Sequence, residues 1–200
     1  TGLDILDVTN PNNIIEMDRV FYSNPAYSHQ GWLSEDKQYF YLGDELDEGP
    51  LPTTTKVIDV SNLNNAFEQT TFTNGNSAIG HNLYTYNGFC YEANYRSGLR
   101  IFDLNQSATN PPEVAYFDTF SSNDSTGFNG LWNVYPYFNS GTVIGSDMES
   151  GLFVWRFAQP PVIFDFPSGL PDYFDPGGET INVQLTETSP GALAQGSETL

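Results

Sequence analysis

Apolar and polar residues alternate along most of this chain in short runs, which are separated by clusters of Asn, Gly, Asp, Ser and Pro. Alternation with a period of two is typical of β-strands that bury one face, and the residues between the runs are typical of turns. No segment shows an apolar period of 3.6 residues over three helical turns. The pattern therefore predicts an all-β fold.

The strand pattern is repeated along the chain. One set of similar segments contains Gly-Leu-x-Ile or a close variant, and a second set begins near a His or Asn. The two sets alternate, so that a unit of four short strands recurs about every 50 residues, which is typical of β-propeller blades. The first set comprises 1–21, 55–72, 97–117 and 150–161, and the second comprises 28–45, 80–94 and 128–147.

Several repeated residues have structural explanations. An Asp or Arg ends the Gly-Leu-x-Ile strand, and we expect each Asp to accept hydrogen bonds from the backbone of its turn. The Gly before Leu is expected to adopt a backbone conformation that is costly for other residues. Cys90, the one cysteine, lies in an apolar run and is predicted to be a buried hydrophobe. The strand-ending residues are Asp7, Asp59, Asp103 and Arg156.

The charge of the chain limits its partners. Its 25 acidic and 6 basic side chains give a formal net charge of −19, which repels phosphate backbones and anionic lipid, so nucleic acid is not expected as a partner. No apolar run reaches the ~18 residues that span a membrane, so membrane anchoring would require regions absent here. The chain begins at Thr1 inside a predicted strand and without a signal peptide, and we interpret it as a fragment.

The phrases GLDILDVTNP, KVIDVSNL and GLRIFDL resemble the LVIVD repeat, a propeller-type repeat of bacterial and archaeal surface proteins. Residues 1–157 resemble the choice-of-anchor B family more narrowly, through HQGWLSEDKQYFYLGDELDE, HNLYTYNGFCYEANYRSGLRIFD and FNGLWNVYPYFNSGTVIGSDMESGLFVW. The resemblance implies an incomplete β-propeller of four-stranded antiparallel blades in an extracellular or cell-surface protein. It brings no established enzymatic activity and no catalytic residue.

The composition changes after residue 157, where the chain becomes rich in Pro and Gly and has no Lys or Arg. Ile181, Val183 and Leu185 alternate as in a half-buried strand. The phrase FPSGLPDYFDPGGETINV resembles the opening of the small β-sandwich module that follows propellers in surface proteins. Residues 158–200 are therefore expected to be a linker and the start of a truncated Ig-like module.

Two sets of residues are candidate metal ligands. His29, His81 and Asn129 share a repeat position, and equivalent positions on neighbouring blades point toward the propeller axis, where imidazoles could bind a transition metal. The propellers of the selenium-binding-protein group are loosely similar in placing histidines there. The alternative is that each histidine forms hydrogen bonds between blades. The second set, Asp44, Glu45, Asp47 and Glu48, could bind Ca²⁺, although it lacks the full EF-hand pattern and also fits a solvated acidic loop.

Other polar and aromatic residues are candidates for ligand binding, and the binding face is expected on the blade loops, particularly 43–54, 92–97 and 120–130. Exposed aromatics could stack on a sugar or a peptide, and the alternative is packing in the core. The candidates are Trp32, Tyr84, Asn94, Tyr95, Arg96, Trp132 and Asp147.

Our first interpretation is a non-enzymatic surface scaffold that binds a protein, a glycan or another extracellular ligand. A metal-dependent enzyme with an axial His site is the alternative, and a structural spacer in a multidomain adhesin is the third interpretation. Convergence of His29 and His81 to about 3–5 Å with a third ligand would favour the metal site, whereas separate packed environments would favour a structural role.

Overall fold

The structure is a computed structural model that describes residues 2–48 and 51–157, all of which belong to one unit, Thr1–Phe157. Within these residues thirteen strands form four antiparallel sheets, which confirms the all-β prediction for this part of the chain. The same residues contain no helix that is long and apolar enough to cross a membrane. The predictions for 158–200 lie outside the described residues.

In each sheet, strands that follow one another in sequence also pair with one another. The first sheet contains β1 (Leu3–Asp7) and β2 (Ile15–Val20). The second contains β3 (Ser28–Leu33), β4 (Tyr39–Asp44), β5 (Thr54–Asp59) and β6 (Phe67–Thr73). The third contains β7 (Asn82–Tyr86), β8 (Phe89–Ala93), β9 (Leu99–Asp103) and β10 (Glu113–Phe117). The fourth contains β11 (Leu131–Tyr135), β12 (Thr142–Asp147) and β13 (Gly151–Arg156).

The predicted turn is present after each of the three strand-ending Asp residues. Asp7, Asp59 and Asp103 end β1, β5 and β9, and each carboxylate accepts a hydrogen bond from the backbone N–H two residues further along, at 2.9, 2.9 and 3.0 Å. Arg156 ends β13 at the equivalent place. Gly98, which precedes β9, has a φ of 71°, the left-handed region that was expected for it.

The core consists of three apolar clusters. Because side chains of a strand alternate between its two faces, neighbouring residues of the inner strands contribute to different clusters. On β4, Tyr41 belongs to one cluster and Leu42 to another, and on β8, Cys90 and Tyr91 divide in the same way. The buried position of Cys90 confirms the prediction that its side chain is part of the core.

The first strands of the last three sheets, β3, β7 and β11, lie next to one another. Side-chain amides join them. Gln30 on β3 donates to the carbonyl of Leu83 on β7 at 2.8 Å and accepts from its N–H at 2.7 Å. Asn82 on β7 donates to the carbonyl of Trp132 on β11 at 3.1 Å. These bonds hold the beginnings of the three strands together, where the candidate site lies.

Candidate metal centre

Two histidines and one glutamate from three separate segments meet at the start of the first strands. His29 is on β3, Glu45 directly follows β4, and His81 directly precedes β7. His29 Nδ1 lies 3.3 Å from Glu45 Oε2, and His81 Nε2 lies 3.7 Å from Glu45 Oε1. The two imidazole rings stack with centroids 4.5 Å apart. One ligand atom from each of the three residues lies within 4.8 Å of the others, so the histidines converge with a third ligand.

Asp44 fixes the loops that carry two of these ligands. Its carboxylate accepts hydrogen bonds from the N–H groups of Ala26 and Tyr27 at 2.8 and 2.7 Å and from Leu46 at 3.2 Å. Burial alone would raise the pKa of Asp44, but the bonds from Tyr27 and Ala26 outweigh it and hold the pKa below its ordinary value. A charged Asp44 therefore joins the chain before His29 to the chain around Glu45.

The ring of His81 is oriented by a backbone carbonyl. His81 Nδ1 lies 2.6 Å from the carbonyl oxygen of Trp132 and 2.9 Å from Asn82 Nδ2. Because the contact with the carbonyl is the shorter one, and Asn82 Nδ2 also donates to that carbonyl, we assign the proton to Nδ1. The neutral ring then has its free lone pair on Nε2, which is the atom that faces Glu45. Burial lowers the pKa of His81, which favours the neutral ring that a metal ligand requires.

Glu45 is held by a buried tyrosine. The hydroxyl of Tyr95 donates to Glu45 Oε1 at 2.8 Å, and the Tyr95 ring lies 4.7 Å from the His81 ring. Burial, followed by the bond to Glu45, raises the pKa of Tyr95 well above its usual range. Metal-ligating residues are commonly oriented in this way by partners that are not ligands themselves. Trp132 provides such a partner for His81, and Tyr95 provides one for Glu45.

The backbone register corrects the alignment that placed Asn129 beside the histidines. Gly43, Ala93 and Ser146 each precede the residue that ends the second-strand motif, and their cross-strand partners are therefore equivalent to one another. These partners are Gln30, Asn82 and Asn133, and the residues immediately before them are His29, His81 and Trp132. Trp132, rather than Asn129, therefore occupies the repeat position of the two histidines.

The side chain of Asn129 bonds to other groups. Its Oδ1 accepts hydrogen bonds from Arg96 Nε and Nη2 at 3.1 and 2.6 Å, and its Nδ2 donates to Glu149 at 2.6 Å. Asn129 therefore ties the loop that follows Tyr95 to the turn after β12, and both ends of its amide have protein partners.

The carboxylates of the segment 44–48 have separate partners. Asp47 forms a buried ion pair with Lys56 at 2.8 Å, and Glu48 accepts a hydrogen bond from the N–H of Gly80 at 2.8 Å. Among the described residues, the one group of three His, Cys, Asp or Glu side chains with converging ligand atoms is His29, Glu45 and His81. The geometry thus does not gather the predicted calcium ligands, Asp44, Glu45, Asp47 and Glu48, around one ion.

The predicted ligand-binding aromatics occupy two places. Tyr95 and Trp132 surround His81 at ring distances of 4.7 and 4.5 Å. Trp32 and Tyr84 are in edge contact at 5.0 Å on the neighbouring strands β3 and β7. The structure therefore brings Tyr95 and Trp132, but not the Trp32–Tyr84 pair, into ring contact with the imidazoles.

The remaining polar candidates are bonded within the protein. Asn94 donates to Glu92 at 2.9 Å, and both are buried. Asp147 accepts from the N–H groups of two following residues at 3.0 and 2.8 Å. Arg96 bonds to Asn129 as described. These three residues shape the loops around the centre.

Glu45 is the functional residue whose role the sequence pattern did not indicate. It was grouped with its acidic neighbours because four carboxylates within five residues suggest a calcium loop. Its position directly after β4 was the available signal, since antiparallel pairing brings the end of β4 next to the start of β3, where His29 lies. In the register of β3 and β4, Ser28 pairs with Asp44, so that their neighbours His29 and Glu45 lie close together.

Two imidazoles and one carboxylate form a ligand set that is common at metal sites with open coordination positions. His₂Glu binds catalytic Zn²⁺, and the same donors bind non-haem Fe²⁺. Metal bonds of about 2.1 Å place donor atoms about 3–4 Å apart. His29 Nδ1 and His81 Nε2 lie 3.3 and 3.7 Å from the two different oxygens of Glu45, and the three ligand atoms, one from each residue, lie within 4.8 Å of one another. The His29 side chain is 26% exposed and that of His81 is 2% exposed, so access is from the His29 side.

No family model matches the chain, and no curated protein matches it. Among solved structures, it is similar to a functionally unknown protein from Desulfotomaculum acetoxidans, with a TM-score of 0.56, 10% identity, and coverage of 78% of this chain and 47% of that chain. The chain thus spans about half the length of that protein, and the likeness concerns the fold alone. A match to the computationally designed Ika4 protein has a TM-score of 0.36 with 12% identity and covers 70% of this chain and 97% of that chain.

Proposed function

We propose that this chain is part of an extracellular or cell-surface β-propeller of the choice-of-anchor B type, and that it binds a transition metal ion at His29, Glu45 and His81 as the centre of a ligand-binding face. The convergence of these three side chains carries the proposal. The ligand of the scaffold is a protein, a glycan or a smaller extracellular molecule.

The propeller interpretation is supported by the repetition of the sheets. The second and third sheets have the same four-strand order, and the fourth begins in the same way. Their first strands lie side by side. Apolar clusters contain residues of successive sheets, as expected for blades that pack face to face around an axis. The repeats that resemble the LVIVD phrases coincide with β1, β5 and β9.

The metal interpretation is supported by features that hydrogen bonding between sheets does not require. His81 bonds to the next sheet through Nδ1 alone, at 2.6 Å from the Trp132 carbonyl, and its Nε2 faces Glu45. Glu45 in turn is oriented by the Tyr95 hydroxyl at 2.8 Å. Gln30 and Asn82 already join the three strands through their amides. Joining the sheets therefore does not account for the convergence of His29 Nδ1 and His81 Nε2 on Glu45.

Metal content of the full chain tests the proposal. The protein is purified without an affinity tag and without chelator, and its transition metals are counted by elemental mass spectrometry. We expect about one equivalent in the wild type and less than about a tenth of that in Glu45→Gln and in the His29→Ala/His81→Ala double variant, since removal of ligands abolishes a three-ligand site.

Glu16→Gln is the matched control, because Glu16 is an exposed carboxylate on β2 outside the cluster. It should retain the metal of the wild type. Circular dichroism verifies that each variant is folded. Equal metal content in the wild type and Glu45→Gln, or no metal in the wild type after incubation with Zn²⁺, Fe²⁺ and Mn²⁺, would contradict the proposal.

A metal-dependent enzyme is the second candidate function. It is favoured by the number of protein ligands, because three leave positions for water or substrate, whereas structural zinc sites usually have four protein ligands. Turnover that depends on stoichiometric metal and is lost in Glu45→Gln would establish this candidate. Metal-dependent binding without turnover would leave the scaffold function.

A further inference from the structure

Two exposed aromatic side chains lie against the imidazoles of the metal cluster, and a third lies against Tyr95, which bonds to Glu45. Tyr27 stacks on His29 with centroids 6.0 Å apart, and Trp132 contacts His81 at 4.5 Å. Phe128 meets Tyr95 edge to face at 5.4 Å. Tyr27, Phe128 and Trp132 are 51%, 52% and 46% exposed. The candidate centre therefore has an aromatic rim on a chain with a net charge of −19.

Such a rim is costly in water unless something covers it. Exposed apolar groups that lie together and are rimmed by polar residues mark ligand-binding sites on soluble proteins. The hydroxyl of Tyr27 and the indole of Trp132 also give the rim polar edges, which suits a ligand that is only partly buried.

The donor set indicates the coordinating atom of the ligand. A divalent ion with Glu45 and two neutral imidazoles leaves a local charge of about +1, which a single anionic donor neutralises. Ions that accept mixed nitrogen and oxygen ligands bind oxygen anions readily. His29, the most exposed of the three ligands, leaves the open positions on the side of Tyr27.

We propose that the centre binds a small aromatic oxyanion, such as an aromatic carboxylate or phenolate, whose oxygen coordinates the metal while its ring contacts one of the two aromatic side chains that flank the imidazoles, Tyr27 beside His29 or Trp132 beside His81. This inference rests on the proposed metal centre. The aromatic rim then supplies selectivity, because an aliphatic oxyanion with the same donor atom lacks the ring contacts.

The test compares benzoate with acetate on metal-loaded full-length protein by titration calorimetry, after the metal content of each sample has been measured. One or two aromatic contacts correspond to about tenfold tighter binding, so we expect benzoate to bind at least about tenfold more tightly than acetate. Trp132→Ala keeps the backbone carbonyl that orients His81, and either this variant or Tyr27→Ala should reduce the preference to about twofold or less.

Trp32→Ala is the matched control, because Trp32 is also an exposed tryptophan but its ring contacts Tyr84 and Tyr137 rather than the imidazoles. It should keep the preference for benzoate. If Trp132→Ala loses the metal, Tyr27→Ala provides the same comparison from the other side of the cluster.

The outcomes separate the two proposals. Stoichiometric metal with equal affinity for benzoate and acetate would overturn the aromatic-ligand inference and leave the metal centre intact. Stoichiometric metal with a preference that survives both Trp132→Ala and Tyr27→Ala would also overturn it. A wild-type protein without metal would overturn both proposals.

Discussion

Tyr95 combines an unusual backbone conformation with a contact to the candidate centre. Its φ is 37°, a region that bulky residues rarely adopt. Its carbonyl accepts hydrogen bonds from the N–H groups of Gly98 and Leu131 at 3.0 and 2.9 Å, and its hydroxyl reaches Glu45. Backbone conformations of this kind cost free energy and are often found at functional sites. Tyr95 thus links the third sheet, the fourth sheet and the carboxylate ligand.

Replacing Tyr95 with Phe tests its role as an orienting residue. The ring is retained, but Glu45 loses its hydrogen bond, and we expect the affinity for a bound transition metal to fall by about 10- to 100-fold, as is typical when such partners of ligands are removed. Titration calorimetry with Zn²⁺ measures the effect. Tyr137→Phe is the control, because it removes a hydroxyl that donates to the Thr85 carbonyl at 3.1 Å, away from the cluster. Equal affinities of the two variants would contradict the prediction.

Glu48 makes the stability dependent on pH. Burial raises the pKa of its carboxyl to about 7, from 4.5 in the unfolded chain. The folded protein therefore keeps a proton that the unfolded chain loses between these values, and this contribution to stability, present below pH 4.5, disappears as the pH rises through about 7. Glu48 Oε2 is buried and has no hydrogen-bond partner within the described residues.

We expect Glu48→Gln to be more stable than the wild type at pH 8 by about 1 kcal/mol, a value reduced for partial solvent exposure, and equally stable at pH 4.5. The amide oxygen of Gln can still accept from Gly80. Urea unfolding at the two pH values measures the difference, with the exposed Glu16→Gln as control. A gain of the same size at both pH values would show that the carboxyl does not titrate as described.

At the scale of single residues, the sequence predicted which positions carry candidate ligands better than it predicted which residues those side chains contact. His29 and His81 were identified as candidate ligands because both begin a repeated strand. Glu45 and Trp132 were associated with other groups, since acidic clustering and an alignment through Asn129 do not reveal register. The irregularities in pairing at His29 and Trp132 add one residue to a strand, and short sequence phrases do not show such a shift.

At the scale of elements, the repeat was sufficient to predict the strands and the turns that end them. Alternation predicted the strands, and the strand-ending Asp predicted the turns, because both depend on local chemistry that each repeat contains. The inner strands β4 and β8 contain nearly continuous apolar runs rather than strict alternation. They are covered on both faces, as Tyr41 and Leu42 illustrate, and a run of this kind does not by itself indicate which face meets which neighbour.

Substitutions at Gly98 and Gly75 distinguish the free-energy cost of an unfavourable backbone conformation from that of a steric clash. Both have positive φ, 71° and 81°. A Cβ at Gly98 would collide with the backbone of Phe117, whereas a Cβ at Gly75 would meet nothing within 4 Å. We expect Gly75→Ala to cost about 1–2 kcal/mol and Gly98→Ala to cost at least about twice as much, because β10 must move. Urea unfolding measures both values, and equal costs would show that the contact with Phe117 relaxes freely.

For the molecule as a whole, the position of the site depends on how the sheets meet. His29 and His81 are 52 residues apart in sequence, as are Gln30 and Asn82, and both pairs are brought together because β3 and β7 are neighbours. The sequence predicted neighbouring repeats through the propeller analogy. The sequence could not predict the hydrogen bonds that side-chain amides make between sheets. These bonds depend on the distance in space between the backbones of successive repeats.

The distribution of charge over the molecule leads to a prediction about salt. Of the 6 basic side chains, Arg19, Lys56 and Arg100 pair with carboxylates, and the 25 acidic side chains therefore far outnumber the available cations. Repulsion among the remaining carboxylates destabilises the compact state more than the extended one. Raising the ionic strength from about 0.02 M to about 0.5 M shortens the screening length several-fold and should therefore stabilise the fold.

We expect the melting temperature to rise by about 3 °C or more, the shift that about 1 kcal/mol produces in a protein of this size. The measurement is made in the presence of EDTA, so that binding of metal at His29, Glu45 and His81 does not contribute. Sodium chloride and choline chloride should have the same effect, because screening depends on ionic strength rather than on the identity of the cation. A rise with sodium alone would indicate a specific cation site, and no rise with either salt would mean that the carboxylates are too far apart, or too well solvated, to repel one another in the folded state.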